Sequence, residues 1–239
     1  LNTITKDGII AADININFDN QGKLKDDYQI KGLVKNTRFD LLNRSSVKNL
    51  NFSFDIAKNK YLLDELSAEF NEIKLSSPLI QIKEKNNLYL VDGIVLNKNQ
   101  KLVGKNLETI FRNLFDNTDI KNVELSSTNN FSFTLDKKLK FNDLIIETAI
   151  DLDQLTFTKK NLNLEPFLLN AKNEIKLENH KIKINYKKDQ LTIDGQGDIF
   201  LTDNIEKLSY NIVKDNDQFL FNTKLNIKNN SLVIEFLDY

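Results

Sequence analysis

Apolar and polar residues alternate with a period of two along most of this 239-residue chain. In the segment 10–18, Ile, Ala and Phe occupy the even positions, and Asp or Asn occupies the odd positions from 13 onward. Successive strand side chains point to opposite faces of a sheet, so this alternation predicts strands with one apolar and one polar face. The same pattern returns at 50–56, 66–70, 144–146, 182–186 and 232–236. We therefore predict a mainly β fold, built as a long antiparallel amphipathic meander.

The predicted turns are rich in Asn, Asp and Lys, since the chain contains only 7 Gly and 2 Pro. Asn and Asp tolerate left-handed backbone conformations and form local hydrogen bonds, which suits them to hairpin turns. These turns separate roughly a dozen strand-like runs. They are expected at 19–22, 58–60, 85–87, 97–99, 129–130, 215–217 and 229–230.

One segment departs from the strand pattern. Between 105 and 116 the apolar residues follow the i, i+3, i+4, i+7, i+8 spacing of an amphipathic helix; they are Leu107, Ile110, Phe111, Leu114 and Phe115. We expect this helix to separate a first β-groove unit, 1–104, from a second unit, 117–239, that continues the same sheet.

Composition argues against several classes of protein. Lys and Arg total 33 and Asp and Glu total 34, and no basic stripe is present, so we expect no nucleic-acid partner. The apolar runs are far shorter than a membrane span. The chain starts at Leu1 and contains no Met, so we expect it to be a segment of a longer protein.

The sequence offers no catalytic constellation. With 0 Cys, thiolate chemistry and disulfides are excluded, and the single His, His180, is interpreted as a solvent-exposed turn residue between two strands. Gly195 and Gly197 superficially resemble a phosphate loop, but they fall on apolar-face positions of a strand, where they are expected to bend or thin the sheet. We therefore predict a protein that is not an enzyme, with no metal site and no cofactor.

The apolar face must be covered. Each Leu, Ile or Phe left in water forgoes about 1.5–3 kcal/mol, and a whole face of them forgoes more than the ~5–15 kcal/mol net stability of a domain. The cover can be a second sheet, the same sheet curled into a trough, the helix, or apolar ligands.

In its repeated amphipathic strand pattern the chain resembles the AsmA-like family of bacterial envelope proteins, which has TamB- and YhdP-type members. The resemblance lies in the segments Ile30–Asn36, Leu50–Ile56, Phe70–Pro78, Val91–Val95 and Phe221–Phe236. It implies a taco-like β-groove in the periplasm, anchored to the inner membrane through a segment absent from this chain. It further implies non-enzymatic binding and transfer of phospholipid between the inner and outer membranes, with acyl chains as the partners.

On this hypothesis the apolar strand faces line a lipid groove. The predicted groove residues are Ile14, Ile16, Phe52, Phe54, Phe131, Phe133, Ile146, Ile184, Ile193 and Phe221. The alternative is a structural or adhesive β-sandwich or solenoid module of a surface protein, in which the same residues would pack in a closed core.

Overall fold

The computed structural model describes residues 5–41, 45–71, 73–103, 118–159, 164–215 and 218–233. These residues form twelve β-strands, and no helix occurs among them. The strands are β1 (Thr5–Asn15), β2 (Gln29–Leu41), β3 (Ser45–Ala57), β4 (Lys60–Phe70), β5 (Ile73–Lys85), β6 (Leu88–Val103), β7 (Thr118–Asp136), β8 (Phe141–Lys159), β9 (Glu174–Lys187), β10 (Gln190–Phe200), β11 (Ile205–Asp215) and β12 (Gln218–Asn226).

The strands lie in one sheet in their order along the chain, so each inner strand pairs with its sequence neighbours. The pairing is antiparallel in β1 to β6 and in β9 to β12. Among the described residues, β1 and β12 are the terminal strands of this order. The mainly β antiparallel meander is thereby confirmed. Its curling into a taco-like groove stays a prediction, and helix 105–116 lies outside the described residues.

Short turns explain why neighbouring strands pair in sequence. Asn86 and Asn87 join β5 to β6 with φ of 53° and 63°, and Lys188 and Asp189 join β9 to β10 with φ of 48° and 65°. Two consecutive positive φ values are typical of the type I′ turn, whose twist matches that of a hairpin. The predicted turns at 58–60 and 85–87 are confirmed, because residues 58–59 join β3 to β4 and residues 86–87 join β5 to β6. Residues 216–217 of another predicted turn lie outside the described residues.

Two predicted turns are wrong. Residues 97–99 lie inside β6 and residues 129–130 lie inside β7. Asn99 does adopt a positive φ of 47°, but its amide donates a hydrogen bond to Ser126 Oγ at 3.0 Å instead of reversing the chain. A left-handed Asn inside a strand makes a β-bulge, since its side chain can replace part of the ladder. Asn36 and Asn49, with φ of 51° and 52°, lie where the β2–β3 and β3–β4 registers slip.

The chain divides into two compact units, which are described separately: unit 1 is 1–97 with 128–147, and unit 2 is 98–127 with 148–239. Buried residues of unit 1 include Val34, Val47 and Val91. Unit 2 has a core cluster of Leu168, Ile175, Ile199 and Leu201.

Candidate lipid-binding surface

Three predicted groove residues lie in one cross-strand row of unit 2. Ile193 pairs with Ile184 of β9 on one side and with Ile212 of β11 on the other, and Ile212 pairs with Phe221 of β12. Ile184 and Ile193 are half-buried, whereas the Phe221 side chain is 63% exposed. The register thus makes a continuous apolar row that becomes more exposed toward β12. Phe219, two residues earlier, stacks on Phe221 with ring centroids 6.0 Å apart and extends the exposed surface.

Ile212 was not among the predicted groove residues. The signal for it was present, because Leu208, Tyr210 and Ile212 repeat the i, i+2 alternation seen elsewhere in the chain. The register places these residues on the same face as Ile193.

A corresponding row crosses unit 1. It comprises Ile14, Ile30, Ile56, Tyr61, Ile82 and Val91, each paired in register with the next across β1 to β6. Exposure falls along this row from 63% at Ile14, on the edge strand, to 5% at Val91. The predicted groove residue Ile14 therefore lies at the open end of this row, and Ile16, 44% exposed, follows it just beyond β1.

The aromatic pairs predicted in unit 1 also lie on strands. The rings of Phe52 and Phe54 are 6.3 Å apart in β3, and those of Phe131 and Phe133 are 5.9 Å apart in β7. Phe133 also contacts Phe141 of β8, with centroids 4.4 Å apart. All four predicted Phe residues are half-buried.

The ten predicted residues are thus distributed over the two units. Ile14, Ile16, Phe52, Phe54, Phe131, Phe133 and Ile146 belong to unit 1, and Ile184, Ile193 and Phe221 belong to unit 2. Ile146 is half-buried in β8. None of the ten belongs to the buried apolar core of the described chain.

Glycines on the apolar face make room for aromatic rings. A Cβ on Gly195 would lie less than 3.0 Å from the ring of Tyr210, and one on Gly197 would lie less than 3.0 Å from that of His180. The prediction that both glycines lie on the apolar face agrees with their pairing, because Gly195 lies opposite Ile182 and Tyr210. Because glycine has no side chain, Gly195 leaves room for the ring of Tyr210 and Gly197 leaves room for the ring of His180.

The interpretation of His180 as an exposed turn residue is wrong. His180 lies within β9 and is 0% exposed. Asn179, with φ of 54°, forms a bulge where the β9–β10 register slips. A bulge changes which positions face which side, so His180 falls on the apolar face with Ile182.

One end of the unit 2 face is covered. Leu168 bridges to Leu232, and the amide of Val233 donates to the carbonyl of Phe167 at 3.0 Å. Leu168 packs against Ile199 in the core cluster. The paired segments 164–172 and 227–233 therefore cover the sheet next to this cluster.

A buried carboxylate holds the second of these segments. Glu206 is 1% exposed and accepts hydrogen bonds from the amides of Lys228 and Asn229 at 2.8 and 2.7 Å and from Asn230 Nδ2 at 2.7 Å. Burial by itself raises the pKa of Glu206, but these hydrogen bonds stabilise the carboxylate and the net result is a lowered pKa.

The polar face of unit 2 carries a shallow depression of about 760 Å³. Its lining includes Lys183, Asp194, Asn211 and Asn222, which the register places in one row across β9 to β12. Tyr210 and Phe221 of the apolar face also line this depression, so it borders the apolar row at β11 and β12.

Among the residues that the structure describes, no group of three or more His, Cys, Asp or Glu side chains could hold a metal ion. Within the same residues, no helix has the length and apolarity needed to cross a membrane. No family model, curated protein or solved structure matches the chain.

Proposed function

We propose that this chain is part of an AsmA-like periplasmic protein that binds phospholipid acyl chains on its apolar strand rows and passes them between the inner and outer membranes. The observation that supports the proposal is the row from Ile184 to Phe221, which is half-buried inside the sheet and 63% exposed at its edge. A row of this kind offers apolar contact without a closed core around it.

The energetic reason is the cost of leaving such a row in water. Covering apolar surface contributes about 25 cal/mol per Å², or about 0.8 kcal/mol for each buried CH₂ group. An acyl chain lying against Ile193, Ile212 and Phe221 would gain this contribution for its own methylenes and for the side chains. Transfer would be passive, because one isoleucine or phenylalanine contact replaces another as the chain moves.

Headgroups would stay in water at the rim of the surface. The opposite face of the sheet is polar, and its charges are partly paired, as in the ion pair of Lys181 with Asp151 at 2.6 Å. In this proposal the polar face is solvated, and anchoring to the inner membrane belongs to a segment outside this chain.

Bound lipid tests the proposal directly. The protein would be purified from bacterial envelopes, extracted with solvent and analysed for phospholipid by mass spectrometry. Movement of a fluorescent phospholipid from donor to acceptor vesicles would then be followed. We expect co-purified phospholipid and protein-dependent transfer.

A matched pair of variants separates the apolar surface from general effects of charge. Phe221→Glu places a carboxylate in the apolar row, and Asn222→Glu places one on the other face of the same exposed strand. We expect transfer to fall at least tenfold in the first variant and to stay near wild type in the second. A folded protein that carries no lipid and transfers none would instead favour the structural or adhesive module.

A further inference from the structure

His180 occupies a closed niche in the apolar face of unit 2. Its side chain is 0% exposed, and its ring fills the space that a Cβ on Gly197 would need. The ring stacks on Tyr210, with centroids 6.0 Å apart and an angle of 27° between the planes. Tyr210 in turn occupies the space above Gly195. The two rings and two glycines form one packed group across β9, β10 and β11.

The hydrogen bonding of His180 fits the neutral ring. Nε2 lies 3.0 Å from the carbonyl oxygen of Asp198, which can only accept, so Nε2 carries a proton. Nδ1 is buried and has no hydrogen-bond partner in the described part of the chain. Protonation would add an N–H group at Nδ1 that has no acceptor, along with a positive charge in an apolar niche.

Acidic side chains of the adjoining strands β10 and β11 are already engaged. Asp198 forms an ion pair with Lys207 and accepts a hydrogen bond from Asn179 at 3.2 Å. The hydrogen bond from Lys207 is the main reason why the pKa of Asp198 lies below its ordinary value. Glu206 is satisfied by the backbone and side chain of 228–230.

The same holds for the neighbouring charges of β9 and β8. Glu178 pairs with Lys176 at 2.5 Å, and Lys181 pairs with Asp151 of β8 at 2.6 Å. Protonated His180 would therefore have to compete with an existing ion pair for any of these carboxylates. Burial lowers the pKa of His180, and this effect outweighs the opposing effects of the Asp198 carbonyl and carboxylate.

We propose that His180 is a pH-sensitive latch that holds the apolar face of β9 to β11 closed when neutral and releases it when protonated. On protonation the ring leaves the niche over Gly197 and uncovers apolar surface beside Ile182 and Leu208, the neighbours that the register places around it. The inference concerns the packing of this face and stands whether or not phospholipid binds there.

The chain contains a single histidine, so the imidazole resonances of the unmutated protein belong to His180 and the first test needs no variant. The imidazole resonances of the wild-type protein would be followed by NMR from about pH 7.5 to about pH 4.5, with amide exchange measured at each step. We expect His180 to titrate below its ordinary pKa, and the amide protection factors of β9 to β11, which are corrected for the intrinsic exchange rate at each pH, to fall at least tenfold over the same interval. Titration at or above the ordinary value, or unchanged protection factors after protonation, would overturn the proposal.

Two variants test the latch from opposite directions. His180→Phe keeps a ring in the niche but removes the titration, so the protection factors in β9 to β11 should become independent of pH in this interval. Gly197→Ala places a methyl group where the His180 ring lies, so its protection factors at about pH 7 should be as low as those of wild type in mild acid. Gly93→Ala is the matched control, because the side chains of Phe131 and Ile80 rather than His180 overlie that glycine, and it should keep the wild-type pH response. An undiminished pH response in His180→Phe would contradict the latch.

Discussion

The ring of Phe54 lies over Gly32 of the neighbouring strand, where a Cβ on the glycine would come within 2.5 Å of Phe54 Cζ. Gly32 and Phe54 are direct partners in the β2–β3 register. The ring of Phe131 likewise lies over Gly93, with 2.9 Å between Phe131 Cζ and the position that a Cβ on the glycine would take. In each case an aromatic side chain covers the backbone of a strand glycine, an arrangement that compensates for the side chain the glycine lacks.

We expect Gly195→Ala to lower the free energy of unfolding by about 1–3 kcal/mol, because the added methyl group overlaps the Tyr210 ring. Urea unfolding of Gly195→Ala, Tyr210→Ala and the double variant would measure the coupling. In the double variant the overlap is gone, so its loss of stability should be smaller than the sum of the two single losses. If the two single losses in free energy of unfolding added up to that of the double variant, the packing of the Tyr210 ring would not require glycine at position 195.

The effect of a charged substitution on the apolar face should depend on how exposed the substituted residue is. Phe221→Glu, at a site 63% exposed, should leave the unfolding midpoint within a few degrees of wild type while abolishing acyl-probe binding. Ile199→Glu, at a site 7% exposed in the core cluster, should unfold unit 2, since an unpaired buried charge is costly. Circular dichroism measures the unfolding midpoint of each variant, and the fluorescence of a labelled fatty acid measures acyl-chain binding. Equal damage to the fold by both changes would contradict an open row.

Glu206 holds the covering segment 227–233 through hydrogen bonds to its carboxylate, so the free energy of unfolding should depend on pH in the acid range. Its folded pKa lies below the ordinary value of 4.5, so the unfolded chain takes up the proton first as the pH falls. The stabilisation is therefore complete above that value and is lost as the pH falls through the folded pKa. Glu206→Gln should cost about 1–3 kcal/mol at neutral pH, and the difference from wild type should shrink in acid.

Glu174→Gln serves as the control for that experiment. Glu174 pairs with Lys121 at the surface, and both side chains are about half exposed. Exposed ion pairs contribute about 0–1 kcal/mol, so this variant should unfold nearly as wild type does. A loss as large as that of Glu206→Gln would show that surface charge, and not the clamp on 228–230, sets the acid stability.

The hairpin turn at Asn86 and Asn87 tests the role of asparagine in the meander. Both residues have positive φ, which costs a residue with an ordinary Cβ about 1–2 kcal/mol. Asn86→Ala with Asn87→Ala should therefore destabilise unit 1 by about 2–4 kcal/mol. Replacing both by Gly instead should cost much less, because glycine adopts these angles freely. Thermal unfolding of the two double variants gives the comparison.

The sequence allowed the apolar rows to be anticipated because alternation fixes the face and short hairpins fix the register. Alternation predicts apolar-face positions for Ile184, Ile193 and Phe221, and the register brings them into one row through Ile212. Exposure was harder to foresee, since it depends on which strand is an edge and on what covers the face.

The error at His180 has a physical cause. The polar run at 178–181 reads as a turn, yet the bulge at Asn179 keeps the chain within β9. A change of parity marks the bulge, because the apolar positions are odd at Ile175 and Leu177 and even at Ile182 and Ile184. This shift puts His180, at an even position, on the same face as Ile182 and Ile184.

Site-specific photocrosslinking in living cells tests the lipid surface most directly. A photoreactive phenylalanine analogue would replace Phe221 in one protein and Asn222, on the opposite face of the same strand, in another. The account predicts phospholipid adducts from position 221 in living cells and few or none from 222. Adducts at neither position, or equally at both, would contradict acyl-chain binding along the apolar row.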